Sequence, residues 1–62
     1  MRRRGLYPYN GVFPQADQSA YIAPGARIVG DVRLGPRVSI WWNAGVRGDL
    51  APVIIGQGSN IQ

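Results

Sequence analysis

At 62 residues the chain is at most one domain, near the size where a single core is marginal without a disulfide, a metal or a partner. It contains no cysteine and no histidine, so disulfide staples and the usual zinc ligands are missing from its own composition. The formal charge of +4 leans on Arg2, Arg3 and Arg4; without them four arginines and three aspartates leave +1, which reads as a solvated terminal run and not a nucleic-acid surface.

The arginine run is not followed by the apolar segment of a secretion signal, and no stretch approaches the length of a membrane span. A cytoplasmic protein with no nucleic-acid and no membrane partner is the expectation. Residues 1–19 read as a lead-in and cap. Within it Tyr7-Pro8-Tyr9-Asn10-Gly11 makes a turn and Val12-Phe13-Pro14 a short extended piece. Tyr7, Tyr9 and Phe13 are expected to plug the open end of whatever follows, as terminal repeats must.

From residue 20 to residue 62 apolar side chains recur every six positions. Ile22, Ile28, Leu34, Ile40 and Val46 set the beat, each preceded two positions earlier by Ala20, Ala26, Val32, Val38 or Ala44. A spacing of two puts both members of a pair on one face of a strand. Between the pairs stand turn-formers: Pro24-Gly25, Gly30-Asp31, Gly35-Pro36, Asn43 and Gly48-Asp49. Five successive hits arise by chance in one of six registers about once in two hundred trials. The pattern suits neither a helix nor a hairpin meander, and it predicts an all-β fold, a parallel β-helix of hexapeptide repeats with about two coils.

Eighteen residues make one coil, so Ile22 is expected beneath Ile40, Ile28 beneath Val46, and Ala26 beneath Ala44. Stacked repeats need roughly three units and capped ends, so the coils are expected to be completed by further chain, by another copy or by a complementary chain. Trp41-Trp42 follows the inward Ile40 at a corner, and neighbouring residues on a strand cannot both point inward. At least one indole is therefore expected outside the core or in an oligomer contact.

After Val46 the rhythm breaks, because nine residues and not six separate it from Ile55. The three extra residues are expected within 50–54, around Pro52, whose missing N–H interrupts a ladder. The break follows Arg47-Gly48-Asp49. This tripeptide is open to two readings: a solvated corner turned by Gly48, or a partly buried ionic pair or interface contact built on the planar arginine fork. A chance match to an integrin-adhesion tripeptide is set aside, since no secretion signal accompanies it.

With these residues in hand, the chain resembles the N-terminal third of a gamma-class carbonic anhydrase-like protein of the hexapeptide-repeat superfamily. The resemblance is carried by Tyr7-Pro8-Tyr9, Tyr21 to Ala26, Val29 to Val32, Ser39-Ile40-Trp41, Asn43-Ala44, Val46 to Asp49, and Ile55-Gly56-Gln57 with Asn60-Ile61-Gln62. It implies a left-handed parallel β-helix, an exception to the usual crossover hand, with a C-terminal helix and assembly as a trimer. It also implies zinc or another divalent metal held by three histidines at a subunit interface, whose bound water attacks carbon dioxide to give bicarbonate.

By the same resemblance, Arg47 matches the arginine that pairs with an acid across subunits. Asp49 matches the aspartate beside the metal pocket, and Gln62 the glutamine that hydrogen-bonds the metal-bound hydroxide or the substrate. These three are the candidate catalytic residues; the histidines of the family lie beyond the position of Gln62, so no metal is bound by this chain alone. Gly45 departs from the small or branched apolar residue usual there. Two other readings stay open: a structural or assembly piece without catalysis, and a hexapeptide acyltransferase, which shares the repeat.

Overall fold

The computed structural model describes residues 4–62 and contains seven strands and no helix among them. They are β1 (Leu6–Tyr7), β2 (Gln15–Ala16), β3 (Tyr21–Ile22), β4 (Arg27–Leu34), β5 (Ser39–Ile40), β6 (Gly45–Ile55) and β7 (Asn60–Ile61). Every strand pairing is parallel. β4 lies between β1 and β6, and its second half also pairs with β2; β3, β5 and β7 form a separate wall. Arg2 and Arg3 of the arginine run lie outside the described residues.

Three vertical ladders make the core. Leu6, Ile28 and Val46 stack on one wall, Ala16, Leu34 and Ile55 on the next, and Ile22, Ile40 and Ile61 on the third. The rungs at Ile22–Ile40 and Ile28–Val46 are those the six-residue period predicts. Ile28, Val32, Val38 and Ile40 have no exposed surface, and among the described residues no polar or charged one is buried with them. Along β4 the alternation is complete: Ile28, Gly30, Val32 and Leu34 point in, while Arg27, Val29, Asp31 and Arg33 point out. The energetic weight of the fold rests here, since a fully buried aliphatic side chain contributes about 1.5–3 kcal/mol.

The lead-in joins these ladders. Leu6 and Ala16 extend two of them by one rung, so the solenoid has about three turns where the repeat count alone predicts about two. Tyr7 and Tyr9 are exposed and do not plug the end; Leu6, half-buried beneath Ile28, covers the core there. The regular spacing fails in the lead-in because ten positions separate Leu6 from Ala16, against six between Ile28 and Leu34. Four residues are absorbed by a tight hairpin, Tyr9 bridging Val12 through hydrogen bonds of 2.9 and 3.0 Å, with Asn10 and Gly11 both at positive φ.

The corners follow one scheme. Ala26 N–H donates to the Ala23 carbonyl (3.1 Å), Ala44 to Trp41 (3.1 Å) and Ser59 to Gly56 (3.3 Å). In each turn the third residue is left-handed: Gly25 at φ 85°, Asn43 at 60° and Gly58 at 77°. The corner expected at Gly35-Pro36 places its left-handed residue one step later, on Arg37 at φ 57°. A non-glycine residue there costs about 1 kcal/mol, and the Arg37 N–H recovers part of it by donating to Ser19 Oγ in the turn below (2.9 Å). Ser19 Oγ in turn donates to Asp17 (2.5 Å), whose carboxylate also caps the Ser19 N–H (2.9 Å).

Trp41 and Trp42 are both exposed, at 39% and 60%, and Trp41, just after β5, meets Tyr21 of the turn below edge-on at 6.2 Å.

Ile28 sits in the middle of its ladder, so Ile28→Ala is expected to lower stability by about 2–5 kcal/mol, read as a fall in the urea midpoint. Ile28→Asp puts an unpaired carboxylate between Leu6 and Val46 and should abolish the strand signal in circular dichroism. A soluble Asp variant with an unchanged spectrum would contradict the stacked core.

Candidate functional site

The site arises where one corner of the prism differs from turn to turn. Between the first and second walls, the first turn carries the Tyr9–Val12 hairpin, the second turns sharply at Gly30-Asp31, and the third holds inserted residues. The ladder runs Gly30 to Gly48, then Val32 to Val53, so five positions on β6 match two on β4 and three residues are extra. Pairing resumes at Val53 and includes Ile54, so the insertion occupies the stretch between Gly48 and Val53, in the first part of its predicted place at 50–54 and around Pro52. A tight corner between two enlarged ones leaves a recess.

That recess is an open cavity of about 220 Å³. Tyr9, Asn10 and Val12 line one side, Gly48 to Pro52 the other, and Asp31 belongs to the turn between. Two glycines allow the turns to close this tightly. A Cβ on Gly30, already at φ 81°, would stand 2.9 Å from the Gly48 carbonyl oxygen, and one on Gly48 would penetrate the Asp31 backbone. Gly48 is therefore required by close approach rather than by a left-handed turn.

Each of the upper two turns carries an arginine–aspartate pair two residues apart, one on either side of the corner. Arg33 Nε lies 3.8 Å from Asp31, and the Arg47 guanidinium donates to the Asp49 carboxylate. A spacing of two on a strand sets both side chains on the outer face, which is why the pairs form. The Asp31–Arg33 pair escaped the sequence reading, which singled out Arg47 and Asp49. Its signal was present in Asp31-Val32-Arg33, the same spacing with the charges reversed.

Arg47 and Asp49 differ in exposure. The Arg47 side chain is 76% exposed and the Asp49 side chain 16%, so the carboxylate is sheltered by the bulge while the guanidinium stands in solvent. The Arg47 hydrogen bond lowers the Asp49 pKa below its ordinary 3.8; burial opposes it, and the Arg47 charge and the Asp49 and Leu50 backbone N–H groups lower it further. Asp49 is thus an ionised hydrogen-bond acceptor on the cavity wall at neutral pH.

The structure joins two of the three predicted site residues. Arg47 and Asp49 form an ion pair within the chain, its carboxylate sheltered and its guanidinium in solvent, so the tripeptide combines features of the ionic pair and of the solvated corner. Gln62 follows β7 on the other sheet, is exposed, and is not part of the cavity lining. Leu50 and Ile54, 96% and 72% exposed, surround the insertion with aliphatic surface that the six-residue pattern does not mark as outward. Among the described residues no group of three or more His, Cys, Asp or Glu side chains is placed to hold a metal ion. The donors of this chain therefore do not fit the zinc centre that the resemblance implies.

The comparisons with known proteins agree with this architecture. No protein-family model matches the chain. A carbonic anhydrase of Geobacillus kaustophilus is 51% identical over 57 residues, 92% of this chain and 31% of that protein. The mitochondrial gamma carbonic anhydrase 1 of Arabidopsis thaliana is 45% identical over 61 residues, 98% of this chain and 22% of that protein. Among solved structures, a hexapeptide transferase family protein from Anaplasma phagocytophilum superimposes with a TM-score of 0.92 at 48% identity, covering 98% of this chain and 37% of that one.

The fold and the matched sequence define a left-handed parallel β-helix built of hexapeptide repeats. Within that class the chain is gamma carbonic anhydrase-like over more than nine-tenths of its length. It spans about a third of the length of the Geobacillus relative and less than a quarter of the Arabidopsis one.

Because the folded pKa of Asp49 is depressed, the stability it contributes is present above the ordinary carboxylate range and is lost as pH falls through the depressed value. The melting temperature is expected to drop on acidification from pH 5 to pH 2 more in the parent chain than in Asp49→Asn. Parallel pH profiles would show that the pair does not couple to folding.

Proposed function

We propose that the protein catalyses the reversible hydration of carbon dioxide to bicarbonate, and that this chain supplies one wall of its active site. The observation that supports the reading most is Asp49, paired with Arg47 and lining the cavity beside a three-residue insertion, in a chain half identical to a carbonic anhydrase. Asp49 is the ionised acceptor that orients a proton-bearing group in the cavity. Arg47, about three-quarters of whose side chain is in solvent on this chain alone, has donors left beside its bond to Asp49 to face an acid of a neighbouring copy in a trimer. The Gln62 side-chain amide donates to a substrate oxygen.

Zinc or another divalent metal is the cofactor this reading entails. Its ligands would be histidines outside these 62 residues, because none stands within them. A cytoplasmic location completes the reading.

The test uses the complete gene product. Elemental analysis is expected to find one divalent metal per subunit, and stopped-flow assays to find hydration of carbon dioxide. Asp49→Asn is expected to lower kcat/KM about 10²-fold with the metal retained, and Arg47→Ala to shift sedimentation from trimer toward monomer. A gene product encoding no histidines downstream, or one that binds no metal, would exclude the reading.

A second reading, hexapeptide acyl transfer, draws on the description of the Anaplasma neighbour. Calorimetry with coenzyme A separates the two: saturable binding to the complete protein favours the transferase. A non-catalytic assembly piece is the third, and it requires that neither metal nor coenzyme A bind.

A further inference from the structure

The Tyr9–Val12 hairpin carries chemistry that neither the ladders nor the candidate site uses. Its two central residues are Asn10 and Gly11, the pair that a two-residue hairpin with positive φ at both positions selects. We infer that Asn10 is a site of spontaneous amide-to-acid modification. The Gly11 backbone nitrogen attacks the Asn10 side-chain carbonyl carbon and loses its proton to solvent. A carbon–nitrogen bond forms, the bond to the side-chain amide nitrogen breaks, and ammonia leaves from a five-membered imide. Water then opens the imide at either carbonyl, giving aspartate or isoaspartate at position 10.

Three features single out this asparagine among the three in the chain, Asn10, Asn43 and Asn60. The attacking nitrogen must be accessible, and the residue that follows must not crowd it. Asn10 is followed by glycine, and nothing lies within 4 Å of where a Gly11 Cβ would be. The bridge bonds are made by the Tyr9 and Val12 amides and leave the Gly11 amide out. At Asn43 the following amide, on Ala44, is already committed to the Trp41 carbonyl (3.1 Å), and the Asn43 side-chain oxygen packs over Gly25. At Asn60 the next residue is the β-branched Ile61, held in the ladder opposite Ile40. Both asparagines therefore have the reacting groups tied down, and Asn10 does not.

The modification also has a place to act. Asn10 lines the cavity with Asp31 and Asp49, so the new acid adds a third carboxylate there. The isoaspartate product further lengthens the two-residue loop by one backbone atom, which the paired Tyr9–Val12 bonds cannot accommodate unchanged.

The test ages the 62-residue chain in neutral buffer and follows it by peptide mass mapping. Trypsin cuts after Arg4, Arg27, Arg33, Arg37 and Arg47, which isolates each asparagine in its own peptide. The mass increase of an amide-to-acid conversion is expected in the peptide from Gly5 to Arg27, about tenfold faster than in the other two because glycine leaves its nitrogen open. Fragment ions should locate it at Asn10 and show both products. Equal rates in the three peptides, or a change at Gln15 or Gln18, would overturn the assignment. Gly11→Ala is expected to slow the reaction about tenfold by crowding the nitrogen. Alanine at this positive φ would also loosen the hairpin, and loosening alone speeds the reaction, so an unchanged or faster rate would count against the proposal.

Discussion

Vertical stacking of aliphatic side chains in a parallel register is the constraint on which everything else in this molecule depends. With no disulfide, no buried polar group and no helix among the described residues, the only large favourable contribution is the burial of three ladders against one another. A parallel ladder fixes its own spacing, because one turn of chain must return each inward side chain above its predecessor. Corners may lengthen, but the rungs may not slip. A one-residue slip would turn Ile28, Val32 and Leu34 outward together.

This explains how much of the fold the sequence reveals. The rungs from Ile22 to Val46 are legible because six residues is the length of one wall and its corner, and no other regular structure repeats with that period. Leu6 and Ala16 belong to the same ladders yet are hard to see, since a hairpin between them stretches the spacing to ten. The Asn10-Gly11 pair is the local signal for that hairpin, and subtracting its four residues restores the count. Arg37 shows the opposite case. No local rule prefers arginine at a left-handed corner, and the bond from its N–H to Ser19 Oγ comes from the turn below, eighteen residues away in sequence.

The candidate site is legible to a similar degree and for a similar reason. The break after Val46 marks the insertion, and the alternation of strands puts Arg47 and Asp49 on one face. What the break cannot convey is the contribution of the first turn. Asn10 and Val12 reach the same cavity only because the first turn also swells at that corner, an arrangement visible once the ladders are aligned in space. Gln62 lies on the other sheet and stays apart from Arg47 and Asp49 in this chain.

A solenoid can carry a site on its corner at little energetic cost. The core sees only the rungs, so a corner that gains three or four residues leaves Val46 over Ile28 and Ile55 over Leu34 as before. The penalty falls on backbone close packing, and the glycines at 30 and 48 remove the Cβ atoms that would make it prohibitive. Each enlarged corner needs a tight one beside it to become the wall of a recess and not a uniform ridge. Here Gly30-Asp31 supplies that tight corner, and its carboxylate and that of Asp49 are both held by arginines two residues away. The charged face and the apolar interior are thereby set by the same alternation: the residues that build the ladder point in, and those that define the chemistry take the positions between them.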